Sequence, residues 1–131
     1  MNKQEYVPGV CNINREEVAY RRKFAIGGLI VATVLFVGLA FTPLSPYIRA
    51  LIILLPLLIG IISLLQVRNR FCVSYGASGK QHASEGDKEA VDVAEAEARA
   101  VDKRKAKIMN AQALLLTIAI CLMSLFVPAF S

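Results

Sequence analysis

The chain has 131 residues, 56% of them hydrophobic, and a formal net charge of +5. Its apolar residues come in blocks, whereas a soluble helical bundle needs a polar outer face along every helix. No aromatic-interleaved basic platform accompanies the positive charge, so nucleic acid is not an expected partner.

Three stretches, 24–48, 50–67 and 108–131, contain no Asp, Glu, Lys, Arg or His. A helix rises ~1.5 Å per residue, so about 20 residues cross a ~30 Å hydrocarbon core. The expected fold is an all-α membrane protein with three transmembrane helices. The first two form a hairpin, and a charged helix extends the third into the cytoplasm. In chain order this gives an N-terminal cytoplasmic segment 1–23, helices at 24–42 and 50–67 around an external turn 43–49, a cytoplasmic loop and charged helix 68–107, and a last span at 108–130. Segment 1–23 is mixed polar and the run after it is long, which reads as a signal anchor rather than a cleaved signal.

The turn Thr42-Pro43-Leu44-Ser45-Pro46 carries two prolines that restrict the backbone. Ser45 suits the N-cap of the second helix, with Pro46 at its first position. Tyr47 is placed for one interface, Tyr20 and Phe24 for the other. The second span is a little short, and Gln66, Arg49 and Arg68 would snorkel to compensate. Pro56 removes a backbone bond within that helix. Gly60 and Ser63 follow it and would admit a neighbouring helix, and Gly28 with Ala32 offers small-xxx-small spacing on the first helix.

Gly76, Gly79 and Gly86 make 68–86 read as irregular. A helix is expected to start near Ser84 or Asp87 and run to Pro128, with Asp87, Glu89 and Asp92 suiting its dipole. Alanines give it propensity, and Glu95 and Arg99 form an i,i+4 pair. Val91, Ala94, Ala98 and Val101 recur at heptad spacing, a seam for a partner or a second copy.

Of the 15 Lys and Arg residues, five fall in 1–23, nine in 68–107, and one, Arg49, between. The positive-inside rule then puts the N-terminus and 68–107 in the cytoplasm of a cell (inner or plasma) membrane, and the 43–49 turn and the C-terminus outside. Arg21-Arg22-Lys23 and the basic residues of 103–107 would attract anionic headgroups.

Little in the chain suggests chemistry. There is no phosphate-binding glycine motif; the 76–80 run has the wrong spacing. His82 is the single histidine and reads as a loop residue. Cys11, Cys72 and Cys121 stand apart with no C-x-x-C, so a Cys11/Cys72/His82 metal set has no support in spacing. No catalytic residue, cofactor or metal is therefore expected. No charge lies inside the spans, unlike most ion-coupled transporters. Asn110 and Gln112 open the third span and would bond across helices or anchor at the interface.

Two passages are more distinctive. One is Tyr6-Val7-Pro8-Gly9-Val10-Cys11-Asn12-Ile13, followed by Glu17 and Arg21-Arg22. The other runs from Phe71 and Cys72 through Tyr75 to Gly79. With the three-span layout they resemble small, uncharacterised bacterial three-span membrane proteins. The resemblance implies the layout and no activity. The two passages are expected to pack together as a cap, close enough for Cys11 and Cys72 to crosslink. The overall expectation is a non-enzymatic interaction or scaffold element, or a subunit of a membrane complex, held in the lipid bilayer. The alternative is an oligomeric channel or transporter component.

Overall fold

A computed structural model describes residues 6–83 and 91–126. Its elements are α1 (Arg15–Ala40), α2 (Pro46–Asn69), α3 (Val73–Ser78), β1 (Lys80–Gln81), β2 (Val91–Asp92) and α4 (Ala96–Ser124). α1, α2 and α4, of 26, 24 and 29 residues, are long and apolar enough to cross a membrane.

Helix α1 begins on local chemistry. Asn14 is its N-cap, and its side chain accepts the backbone N–H of Glu17 at 2.9 Å. Ile13 before the cap packs with Val18 in the first turn, a hydrophobic staple that fixes how the chain enters the helix. Ser45 caps α2 by accepting from the Ile48 N–H, with Pro46 at the first position. The helix continues through Pro56.

α1 crosses α2 where both backbones are bare. A methyl group on Gly28 would lie 2.7 Å from Gly60 N and 2.9 Å from the Pro56 carbonyl oxygen, so neither position has room for a side chain. The small residues at 28 and 60 are therefore the contact that the spacing predicts. Ala32, Ala50, Ile53, Leu57, Ile61, Ala113 and Cys121 form the main apolar cluster between the helices. α4 buries the stripe Ala98, Asp102, Ala106, Met109, Ala113, Thr117 and Cys121, a helical repeat of threes and fours. Arg49 is buried at 6% exposure instead of reaching outward to a boundary.

α2 ends in a Schellman motif. Phe71 N–H donates to Gln66 O at 3.1 Å and Arg70 N–H to Val67 O at 3.4 Å, while Phe71 packs on Leu65. Arg70 takes the left-handed conformation at φ 51°, where an L-side chain costs about 1 kcal/mol that glycine would not.

The described part of the 68–86 stretch, 68–83, is more ordered than its glycines suggest. Gly79 (φ 73°) is the left-handed C-cap of α3. Gly76 lies under Phe71, where a Cβ would meet the ring at 2.6 Å. These glycines end and seat a helix rather than prevent one. β1 and β2 pair antiparallel, Lys80 with Asp92 and Gln81 with Val91.

The start of the third long helix also differs. The expected start at Ser84 or Asp87 and the stop at Pro128 lie outside the described residues, as do Glu89 and Gly86. Within the described residues, Val91 and Asp92 are already committed to β2, and α4 begins at Ala96. The heptad seam does not form as one helical face: Val91 is in β2, Ala94 precedes the cap, and Ala98 faces inward at 5% exposure. Cross-strand pairing has overridden alanine's helix propensity here. Arg99 donates to the carbonyls of Val93 at 2.6 Å and Ala94 at 2.8 Å, tying down the approach to the helix.

Candidate functional site

The polar side chains gather where α1 begins and α2 ends. The N-terminal passage opens with a tight turn, Val7-Pro8-Gly9-Val10, with Pro8 at the second position and Gly9 at φ 70° in the third. Val10 N–H donates to Val7 O at 3.0 Å, closing a type II turn. The turn aims Asn12 at the chain leaving α2. Asn12 Nδ2 donates to Cys72 O at 3.1 Å, and Cys72 N–H donates to Asn12 Oδ1 at 2.6 Å. Its backbone continues the join: Asn12 N–H donates to Arg70 O, and His82 N–H to Asn12 O. The two distinctive passages thus pack together, with Asn12 wholly buried between them.

A second tie reaches α4. Asp102 is fully buried. Its carboxylate accepts from the Tyr6 hydroxyl and, at 2.8 Å, from Gly9 N–H. Burial first, then the hydrogen bond to Asp102 and its charge, hold the Tyr6 hydroxyl well above its ordinary range, so it stays a donor.

The third group is a chain of side chains around Glu17. Glu17 forms an ion pair with Arg21 and faces His82 Nδ1 at 3.1 Å. Arg21 also donates to Cys72 Sγ at 3.0 Å and lies 5.6 Å over the Tyr75 ring. Tyr75 meets the His82 ring edge-on at 6.3 Å. Burial, then the charge of Glu17, push the Tyr75 hydroxyl above its ordinary value.

Two reactive side chains of this group are already engaged. The His82 Nδ1 contact is to Glu17, and the Cys72 thiol is covered at 3% exposure beneath Arg21. A nucleophilic pair needs an open thiol with the base in reach. Among the described residues, no three His, Cys, Asp or Glu side chains gather as a metal set, Cys11, Cys72 and His82 included. The remaining sequence candidates lie elsewhere. Asn110 and Gln112 are exposed on α4, and Gln112 lines a groove of about 580 Å³ with Leu65, Arg68 and Asn69. Val101 is exposed on α4, beside Gly9.

Sequence reasoning singled out His82 and the cysteines but missed Asn12, Glu17 and Asp102 as the organising groups. The Asn14-x-x-Glu17 spacing was the available signal for Glu17. Asp102 had none, because its partners are 93 and 96 residues away.

Three helices of membrane-crossing length and hydropathy, with a polar cap where α1 begins and α2 ends, are compatible with a multi-pass membrane protein. The chain matches no known family, no curated protein and no solved structure, so any functional reading rests on geometry.

Proposed function

We propose that this is a three-span protein of the cell membrane, with 1–23 and 68–107 in the cytoplasm, and that it serves as a non-catalytic interaction or scaffold element within a membrane complex. The observation carrying this reading is where its polar groups go. Asn12, Asp102, Glu17, Arg21, Cys72 and His82 bond to one another or to backbone. That network clips the N-terminal passage to α2, α3 and α4 and, among the described residues, leaves no open reactive constellation.

A partner would meet the outer faces of the helices, where Leu115 and Met123 of α4 are each 69% exposed. Val101 stands at the cap end of the same helix. Crosslinking in intact membranes, then detergent pull-down, tests this. A reproducible partner or a second copy supports the reading, and a lone monomer overturns it. Orientation is read with an impermeant thiol reagent at Cys11, because Cys72 is covered.

One observation favours a second reading, an oligomeric channel or transporter component. Asn110 and Gln112 are polar and exposed on an otherwise apolar stretch of α4. Copies packed there would give a polar lining. A liposome conductance abolished by changing Gln112 would support it.

A further inference from the structure

Leu65, Arg68 and Asn69 stand at i, i+3 and i+4 on α2, and Gln112, Leu115 and Leu116 have the same spacing on α4, so each triplet shares one helical face. The two helices run antiparallel: Cys121 meets the Ala50 carbonyl at one end, and Leu65 packs on the cluster of Met109 at the other. Together the triplets line a groove of about 580 Å³. α2 runs toward the cap and turns polar, from Leu65 to Arg68 and Asn69. α4 runs away from the cap and turns apolar, from Gln112 to Leu115 and Leu116. Both walls therefore place polar groups at the cap end and leucines one turn deeper.

The groove also sits at a defined level. Arg68 directly follows the charge-free stretch 50–67, and Gln112 is the fifth residue of 108–131. With the helices in a bilayer, its polar end lies at the headgroup boundary and its leucines face the acyl chains. An occupant must be polar and then apolar in that order, which is the order within a lipid molecule. The volume falls in the small-molecule range of roughly 300–1,000 Å³. The polar end offers both acceptors and donors. Asn69 Nδ2 donates to Leu65 O at 2.7 Å, which leaves its Oδ1 as the open acceptor. The side chains of Arg68 and Gln112 are exposed and make no hydrogen bond or ion pair with the described residues. Arg68 only donates, whereas the Gln112 amide both donates and accepts. A matching headgroup needs an acceptor for the first two and a donor for the two carbonyl oxygens. Phosphate beside a primary ammonium supplies both; a choline headgroup has the phosphate but no N–H.

We propose that this groove binds a phospholipid whose headgroup carries a primary ammonium, of the phosphatidylethanolamine class. Arg68 and the Gln112 amide N–H donate to its phosphate, Asn69 Oδ1 and Gln112 Oε1 accept from its ammonium, and an acyl chain lies along Leu65, Leu115 and Leu116. The headgroup is zwitterionic, so hydrogen-bond pairing rather than net charge selects it. The site rests on membrane insertion and is independent of the scaffold role.

The test uses the full chain, first extracted with carbonate to establish insertion separately; release into the supernatant would remove the membrane reading itself. Inserted protein is reconstituted in equal parts phosphatidylethanolamine, phosphatidylcholine and phosphatidylglycerol, then solubilised, and retained lipid is counted by native mass spectrometry. The wild type should retain phosphatidylethanolamine about fivefold over phosphatidylcholine, the scale of one hydrogen bond. Gln112→Leu should lower that retention about fivefold, and Arg68→Gln about tenfold through loss of a charge-assisted bond. Both positions are exposed, so helical circular dichroism should not change. Lys103→Gln removes a charge outside the groove and should change retention by about twofold or less. Asn69→Asp places a carboxylate against the ammonium and should raise the ratio of phosphatidylethanolamine to phosphatidylglycerol by about threefold. Equal retention of phosphatidylethanolamine and phosphatidylcholine overturns the headgroup assignment, as does phosphatidylglycerol held above both. Full retention by Gln112→Leu and Arg68→Gln overturns the site. A dimer without lipid that Gln112→Leu abolishes gives the groove to a second copy and overturns the lipid assignment.

Discussion

At Gly28 a single methyl group would collide with the backbone of α2; at Asn12 one side chain both donates to and accepts from Cys72. The first contact belongs to the apolar helices and the second to the cap, and the two regions cohere for different reasons. Between the helices there is shape: small residues let the backbones approach, and dispersion does the rest. In the cap there is pairing, because groups removed from water must find partners. A shape contact fails when atoms are added, whereas a paired contact fails when a partner is taken away.

The comparison is broken most severely at the helix crossing. Gly28→Leu should destabilise by about 3 kcal/mol through overpacking against backbone. The neighbouring Gly27 meets nothing within 4 Å, so Gly27→Ala should instead stabilise by about 0.5–1 kcal/mol through helix propensity. Thermal melting in mild detergent reads both, and similar shifts for the pair would refute the shape account. In the cap, Asn12→Ala leaves the buried Cys72 N–H without its acceptor, while Cys72 O keeps Gly76 N–H as a donor at 2.9 Å. The loss should be about 2 kcal/mol, read as faster thiol labelling of Cys72. An unchanged labelling rate would mean that Asn12 does not hold the cap.

A smaller effect carries a pH signature. Tyr6→Phe should cost about 1 kcal/mol at neutral pH. The native Tyr6 hydroxyl keeps its proton beyond its ordinary value of 10.0, so the folded state binds more protons than the unfolded state above that pH. The Tyr6 contribution is complete below pH ~10 and fades as pH rises through the raised native value. Melting temperature should therefore fall faster with alkalinity in the wild type than in Tyr6→Phe. Parallel curves would separate Tyr6 from Asp102. The smallest effect is expected at Ser45→Ala, about 0.5 kcal/mol, because the Ile48 N–H to Ser45 Oγ bond is long at 3.4 Å.

Much of the helical region was legible before any coordinates. Length and charge-free runs marked three helices long and apolar enough to cross a membrane, Ser45-Pro46 marked the start of α2, and Gly28 and Gly60 were each read as places where a neighbouring helix could approach. Those signals are local or periodic. The cap was legible only as two passages that belong together. Its bonds between passages join residues 51 to 96 positions apart, and no spacing rule reaches so far. Asp102 carried no signal that would single it out. Glycines 76 and 79 looked like breakers, though one seats Phe71 and the other ends α3.

Tyr6 and Gly9 grip a residue that the ribosome reaches 93 or more positions later. These two contacts must therefore wait until α4 is made, after Asn12 can already have met Cys72, and contacts so distant in sequence form late. Loss of the Tyr6 and Gly9 contacts should accordingly be felt in how α4 seats against the cap.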